Sequence, residues 1–417
     1  VSQDFFERHQ PVLEKALAAA RERGYWSPFS ESPSPRNYGE TAAQDGQAAF
    51  DALLGKEFAL TVSGAEGTVG GEVSPFGFAL NITYPRVSPE RLLANAEQAG
   101  QDWRRAGPRA WVGVSLEILA RLNRRSFEMA HAVQHTTGQG FMMAFQAGGP
   151  HAQDRSLEAV TYAWQAMSRI PEVAMWEKPQ GKNEPIKMEK RFTVVPRGVA
   201  LVIGCSTFPT WNGYPGLFAS LATGNTVIVK PHPAAILPLA LTVQIAREVL
   251  VEAGFSPDVV QLAAHPAGDD TAQQLALAGA VKIIDFTGST ANGDWLEQNA
   301  RQALVYTEKA GVNQVIIDSV QDIKGAARNL AFSLALYSGQ MCTAPQNIYV
   351  LRDGIETAEG HLSFDDVAAA IASAVEKLSG DAARAVELTG AIQSDATAER
   401  IDRARALGCP CWPTLAA

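Results

Sequence analysis

Cys342 lies in the run Ser338-Gly339-Gln340-Met341-Cys342-Thr343-Ala344, after a stretch of helical periodicity and before the β-branched run NIYVL at 347–351. A thiol at such a junction faces a cleft while both neighbouring elements fix its position. The thiolate is the nucleophile, so the site must lower the thiol pKa or supply a base. A lone Cys is ordinarily a small buried hydrophobe, so the surrounding chain has to identify it. Cys205 ends the strand-like VALVIGC and reads as packed; Cys409 and Cys411 flank Pro410 and read as incidental. His131 and His135 stand four residues apart, with Glu128 one turn earlier, and have the chemistry of metal ligands on one helix face. No further ligand cluster accompanies them, so they read as ordinary helix residues and no metal is expected.

Stepping along the chain, the first 170 residues read mainly as helices. Ser88 before Pro89 is a helix N-cap candidate, and the run from Trp111 to His135 reads as a second helix. The Pro- and Lys-rich residues between 170 and 196 read as loop and exposed strand. After Pro196, apolar runs at 198–204, 225–230, 258–264 and 281–286 alternate with helical stretches at 239–254 and 270–279. That alternation argues for βαβ units and a doubly wound parallel sheet. Ligands bind at the carboxyl ends of such strands. Residues 205–215, 230–233 and 287–293 therefore surround one crevice. A second α/β pattern begins near Gly311, with strands at 313–318 and 347–351, a helix through LAFSLALYSG (330–339), and helices near 368–378 and 396–407.

The 417 residues are 46% hydrophobic and 19% charged, enough to bury two cores. A formal charge of -9, with the basic residues scattered, disfavours a nucleic-acid partner. Four Cys in so long a chain make no disulfide framework and suit a reducing compartment, so a cytoplasmic location is expected. Neither a signal peptide nor a membrane span is visible in the sequence.

Four segments, in order, resemble the aldehyde dehydrogenase superfamily. FPTWNGYP (208–215) resembles its PWNFP segment, and ATGNTVIVKP (222–231) its ATGN-to-KP strand. IDFTGST (284–290) is similar to its FTGST, and SGQMCTA to its G-Q-x-C nucleophile segment. The resemblance implies an α/β fold with a Rossmann-type cofactor domain and a second α/β catalytic domain. Residues 1–171 and 197–309 would form the cofactor unit, 172–196 a bridging and oligomerisation segment, and 310–417 the catalytic unit. It also implies that Cys342 attacks an aldehyde. Asn212 and the Cys342 backbone N–H would stabilise the oxyanion, and Glu308, 34 residues before Cys342, would activate the hydrolytic water. The adduct would expel hydride to NAD or NADP and leave a thioester.

For the cofactor, the resemblance implicates Thr210, Trp211, Lys230, Pro231, Pro233, Phe286, Gly288 and Ser289. Gly288 permits close backbone approach and Ser289 stands near a helix start, although GxGxxG is absent. NAD-preferring relatives commonly carry a Glu three residues after this Lys. Pro233 stands there instead, which removes the element that repels a 2'-phosphate and tilts the expectation slightly toward NADP. Other departures are Lys309-Ala310-Gly311, where relatives have Leu-Gly-Gly, and Asn347, where an Arg is usual.

The first 85 residues and HTTGQGFMMAFQAGGPHAQDR (135–155) look most like the branch associated with phenylacetate degradation, whose members oxidise a CoA-linked semialdehyde. The family continues past the equivalent of residue 417 with a Glu-x-Phe-Gly-Pro motif and a subunit-swapped strand, so this chain is expected to be truncated or incompletely active. The exposed 172–196 segment implies a homodimer or homotetramer. Two alternatives remain open: a CoA-acylating dehydrogenase, and a catalytically silent scaffold subunit.

Overall fold

The computed structural model describes residues 2–407; Cys409 and Cys411 lie outside the described residues. Five parallel strands form the central sheet in the order Leu304–Glu308, Val281–Thr287, Val199–Ile203, Thr226–Lys230, Val260–Leu262. Val199–Ile203 and Thr226–Lys230 are buried at every position, as strands covered on both faces must be. Ala200, Val202, Val227 and Val229 face a core shared with the helices Pro209–Ala222 and Leu237–Glu252. Val199, Leu201, Ile203, Ile228 and Ile284 face the opposite core with Leu275 and Leu296, from helices Thr271–Leu277 and Thr290–Asn299. The doubly wound α/β arrangement expected from the sequence is thus present.

A smaller core built on Ile317, Leu330, Ile355 and Val367 follows. It contains the parallel pair Asn313–Ile317 and Pro345–Val350 and the helices Ile323–Ala335 and Phe364–Ser379. Residues 173–191 fold into an antiparallel hairpin, Val173–Gln180 with Asn183–Arg191, exposed along nearly its whole length. Among the described residues no helix is long and apolar enough to cross a membrane.

Three local expectations change. The stretch from Trp111 to His135 is not one helix: a 36-residue helix, Pro89–Arg124, breaks at Gly107 (φ 82°, ψ 169°), and Ser126–Thr137 is separate. Gly107 takes a backbone conformation closed to other residues, and Pro108 starts the next segment because it has no N–H to place. The Trp111 indole N–H spans the break to the Trp103 carbonyl at 2.7 Å. Second, the first 170 residues contain two short antiparallel pairs, Ala65–Gly70 with Thr83–Val87 and Val73–Ser74 with Phe78–Ala79. These strands are too short to show periodicity. Third, the helix through LAFSLALYSG stops at Ala335.

The short strands are anchored by Glu72, which is 1% exposed. One carboxylate oxygen accepts from the Ile236 and Leu237 backbone N–H groups at 2.6 and 3.0 Å, the entry of helix Leu237–Glu252. The other accepts from the Tyr84 hydroxyl at 2.5 Å. Burial pushes the Glu72 carboxyl above the usual carboxylate range, and these donors only partly offset it. The N-terminal helix Ser2–Glu22 is tied down similarly. Arg8 and His9 donate to the buried Glu117 at 3.2 and 2.7 Å, and Arg121 adds a third bond at 2.9 Å. Burial opposes ionisation of Glu117, but the bonds from His9 and Arg121 outweigh it and hold the carboxyl low.

Replacing Glu72 by Ala strands two helix-terminal N–H groups and the Tyr84 hydroxyl, at an expected cost of about 2–4 kcal/mol. Glu72→Gln keeps an acceptor and is expected to cost less. Denaturant midpoints of the two variants measure the difference, and equal midpoints would contradict the anchoring role.

Candidate active site

Three elements converge at the carboxyl end of the sheet. The first is the loop after Val199–Ile203 and the helix it enters, Pro209–Ala222. Asn212 sits in the first turn of that helix, 6% exposed, its N–H bonded to the Phe208 carbonyl at 3.1 Å. Its side-chain carbonyl accepts from the Cys205 thiol at 3.8 Å, and the Phe208 N–H donates to the Cys205 sulfur at 3.4 Å. Cys205 therefore helps to orient Asn212. Burial pushes its thiol pKa up and keeps it protonated.

The second element is the edge strand Leu304–Glu308. Glu308, its last residue, receives the Asn212 side-chain amide on Oε2 at 2.9 Å and the Cys342 thiol on Oε1 at 3.8 Å. Its own carbonyl accepts the Gly288 N–H at 3.0 Å, which ties Glu308 to the Phe286-Thr287-Gly288 strand end. Lys309 pairs with Asp294 at 2.6 Å and Glu297 at 2.8 Å, holding the edge strand to helix Thr290–Asn299. In the Lys309-Ala310-Gly311 departure the last residue packs against Cys342. A Cβ on Gly311 would stand 2.3 Å from the Cys342 carbonyl oxygen, so a side chain has no room there.

The third element carries Cys342. Tyr337 (φ 51°), Ser338 (φ 52°) and Gly339 (φ 68°) are consecutive left-handed residues immediately before Gln340-Met341-Cys342. Non-Gly residues resist this conformation at a cost of about 1–3 kcal/mol each. Surrounding contacts must therefore impose it. Tyr337 is fully buried and its hydroxyl bonds the Thr137 carbonyl. Gln340 donates to the Ala391 carbonyl at 3.0 Å and accepts the Gln393 N–H at 2.9 Å. The Gln393 side chain donates to the Thr136 and Ser206 carbonyls at 3.2 and 2.5 Å, joining the nucleophile turn to the Asn212 loop. The Asn313 amide holds the Cys342 carbonyl at 2.6 Å.

The Cys342 thiol is pushed up by burial and then by the charge of Glu308, with Arg155 opposing. On the strand next to Glu308, Asp285 is pushed up to about 6, chiefly by burial, then by Glu308, again with Arg155 opposing. Arg155 lies 4.8 Å over the Trp211 ring and donates to the Trp211 carbonyl at 3.1 Å. Sulfur, amide and carboxylate open into a cavity of about 520 Å³ whose walls include Met142, Met143, Phe332, Leu336, Leu378 and Leu388. Trp211 lines this cavity as well.

The residues expected to contact a cofactor divide. The Thr210 hydroxyl is committed to the Gly148 carbonyl at 2.9 Å. Lys230, 7% exposed at its strand end, donates a hydrogen bond to no described residue, and burial lowers its pKa to about 8 despite Asp269. His265 stands nearby with its Nε2 buried and unpartnered, and burial, then Lys230, lowers its pKa to about 4. Pro231 is buried and Pro233 half-buried beside Lys230. Phe286 is buried, and a Cβ on Gly288 would meet its ring at 2.7 Å. Ser289 is exposed and accepts the Asn292 N–H as the N-cap of helix Thr290–Asn299. The buried, unpartnered Nε2 of His265 and the Lys230 ammonium, beside a glycine cradle at the strand ends, fit the ribose and phosphate oxygens of a dinucleotide.

Sequence reasoning missed Arg155, Gln139, Asn313 and Gln393. Gln139 donates to the Thr207 carbonyl at 2.8 Å and supports the Asn212 loop. Its flanking glycines in TTGQGF were a usable signal; nothing local marked the others. His131 and His135 stack against Phe50, and burial lowers both pKa values, that of His135 to about 4. Glu128 pairs instead with Arg125 at 2.6 Å, and no metal-binding group of side chains occurs among the described residues.

Residues 85–408 match the model of the aldehyde dehydrogenase family. The crystal structure of an NAD-dependent aldehyde dehydrogenase from Burkholderia multivorans is 66% identical, with a TM-score of 0.94 over 97% of this chain and 72% of that one. A Thermus 1-pyrroline-5-carboxylate dehydrogenase with bound NAD is 18% identical with a TM-score of 0.70, covering 92% of this chain and 72% of that one, a likeness of fold. The 1-pyrroline-5-carboxylate dehydrogenase of Geobacillus kaustophilus is 26% identical over 63% of this chain and 50% of its own length. The chain thus spans about half the length of such curated relatives. With the family model extending over more than three quarters of its residues and a close structural neighbour overlying nearly all of it, this chain belongs to the aldehyde dehydrogenase family.

Proposed function

We propose that this chain oxidises an aldehyde to the carboxylic acid with a nicotinamide cofactor, Cys342 serving as nucleophile. The observation that carries the reading is the Glu308 carboxylate, whose two oxygens engage Cys342 Sγ and the Asn212 amide, each from a different element. The Cys342 proton passes to Glu308 and the thiolate attacks the aldehyde carbon. The oxyanion is met by the second N–H of the Asn212 amide and by the Cys342 backbone N–H. A nicotinamide held by these residues would supply the hydride acceptor that turns the thiohemiacetal into a thioester. With that proton lost to solvent, Glu308 takes one from water, and the acid leaves as the Cys342 thiolate is released.

Under this reading, residues 1–171 and 197–309 bind the cofactor and 310–417 provide the nucleophile. Lys230 and the Phe286-Gly288 cradle hold the dinucleotide. The absence of a carboxylate at Pro233 leaves NADP unrepelled, while the Burkholderia neighbour is named for NAD. The apolar cavity favours an aldehyde with an extended hydrocarbon body, which supports the semialdehyde implied by the phenylacetate-degradation resemblance. The hairpin exposes Val173, Met175, Trp176, Ile186 and Met188, a surface suited to a second copy in a homodimer or homotetramer.

Cys342→Ala is expected to abolish aldehyde-dependent NAD(P)H formation, and Asn212→Ala to lower kcat by about 10²–10³-fold; unchanged turnover in Cys342→Ala would end the enzymatic reading. With Pro233 in place, kcat/KM for NADP should equal or exceed that for NAD, and a strong preference for NAD would refute that assignment. Because the Glu308 charge raises the Cys342 pKa, Glu308→Gln should speed iodoacetamide alkylation of Cys342 at pH 7 by about two- to tenfold. Unchanged or slower alkylation would refute this effect of the Glu308 charge on the resting thiol.

A further inference from the structure

Helix Pro209–Ala222 carries Asn212 in its first turn and a proline, Pro215, in its second. In an α-helix the carbonyl of residue i accepts the N–H of residue i+4, so the Trp211 carbonyl would be met by residue 215. Pro215 has no N–H, and its ring crowds the carbonyl four residues earlier. The Trp211 carbonyl is therefore left without its helical donor, and the turn that holds Asn212 is joined to the rest of the helix by one bond fewer. A backbone acceptor so placed needs a partner from elsewhere.

Arg155 is that partner. Its Nη1 donates to the Trp211 carbonyl at 3.1 Å, and its guanidinium lies over the Trp211 ring, 4.8 Å from the centroid. Helix Pro150–Ser168 presents His151 on the same face one turn earlier, packed edge to face against that ring at 6.1 Å and bonded to Glu31 at 2.8 Å. The Thr210 hydroxyl, beside Trp211, is tied to the Gly148 carbonyl at 2.9 Å. Residues 210 and 211 are thus gripped from one neighbouring segment, and the next residue along is Asn212. Arg155 forms an ion pair with no described carboxylate, so its donor is committed to this carbonyl.

We propose that Arg155 is a positioning residue for the oxyanion donor: by capping the carbonyl that Pro215 leaves open, it seats Trp211 and, through it, the side-chain amide of Asn212. This role rests on the reading of Asn212 as that donor. Glu308 holds the Asn212 amide at 2.9 Å and the Cys205 thiol meets its side-chain carbonyl, so the second amide N–H keeps its aim only while the backbone beneath it stays in place. A donor displaced by about 1 Å loses most of its worth to a developing oxyanion. The planar guanidinium serves ring and carbonyl together, which a lysine ammonium on a flexible stem does not reproduce. Arg155 exchanges no proton and touches no reacting atom; it acts through the peptide it holds.

The cofactor-free reaction with p-nitrophenyl acetate tests this, because its burst is acylation of Cys342 and passes through an oxyanion. Alkylation by iodoacetamide passes through none, so its plateau at high pH reads only whether Cys342 stays in place and accessible. Arg155→Met is expected to slow the burst about 10- to 100-fold and to leave the alkylation plateau within about twofold of wild type. Arg155→Lys, which keeps the charge without the planar fork, should slow it by a smaller factor. Pro215→Ala returns an N–H to the Trp211 carbonyl, so in that background Arg155→Met should cost less than about threefold. A burst unchanged in Arg155→Met while Asn212→Ala slows it, or a loss undiminished in the Pro215→Ala background, overturns the positioning role alone. An alkylation plateau lost together with the burst in both Arg155 variants makes the role a structural one and overturns it too. A burst that survives in Cys342→Ala, or that Asn212→Ala leaves unchanged, overturns the functional reading and this role with it.

Discussion

The double engagement of the Glu308 carboxylate, by the Asn212 amide on one oxygen and the Cys342 thiol on the other, is the constraint on which the rest of the site depends. Each partner arrives on separate backbone. Glu308 ends an edge strand, Asn212 opens a helix packed on the sheet, and Cys342 follows a left-handed turn in the next unit. A carboxylate–amide bond at 2.9 Å tolerates little displacement, so strand register and helix seating must agree. The parallel sheet supplies that agreement. Its register places the strand ends side by side, and cores on both faces prevent the slip of one residue that would turn Glu308 away from Asn212.

Much of this was legible in the sequence, because the relevant signals are local. The buried runs VALVI and TVIVK have no polar face and read directly as central strands. Asn212, Glu308 and Cys342 stood in recognisable segments, and the structure brings all three together. What remained hidden depends on contacts distant in the chain. Gln393 reaches Thr136 and Ser206 across 257 and 187 residues, and nothing in its neighbourhood indicates that it ties two loops together. The end of the helix at Ala335 was hidden for a related reason. Leu336 and Tyr337 are compatible with helix, and only the burial of Tyr337 against Thr137 forces the chain out of it.

The turn at 337–339 shows how the fold meets a local cost. Two non-Gly residues in left-handed backbone are unfavourable, yet a continued helix would carry Cys342 away from Glu308. Gln340 and Gln393 offset that cost with backbone-directed hydrogen bonds, which compensate the strain where it arises. The Cys205 loop is held by the same glutamine. The Cys342 turn and the Asn212 loop are therefore fixed relative to each other by one small polar network, and displacement of either is transmitted to the other.

The electrostatic balance of the site follows from that rigidity. Asp285 and Glu308 place carboxylates beside the Cys342 thiol, and Arg155 is the cation that opposes the upward shift of both Asp285 and Cys342. Its guanidinium is pinned over the Trp211 ring and to the Trp211 carbonyl, so it does not swing in to neutralise a carboxylate by direct pairing. A fixed cation at a distance moderates every negative group without extinguishing any of them. The Arg155–Trp211 arrangement instead leaves Asp285 raised by its burial while opposing the upward shift of the Cys342 thiol.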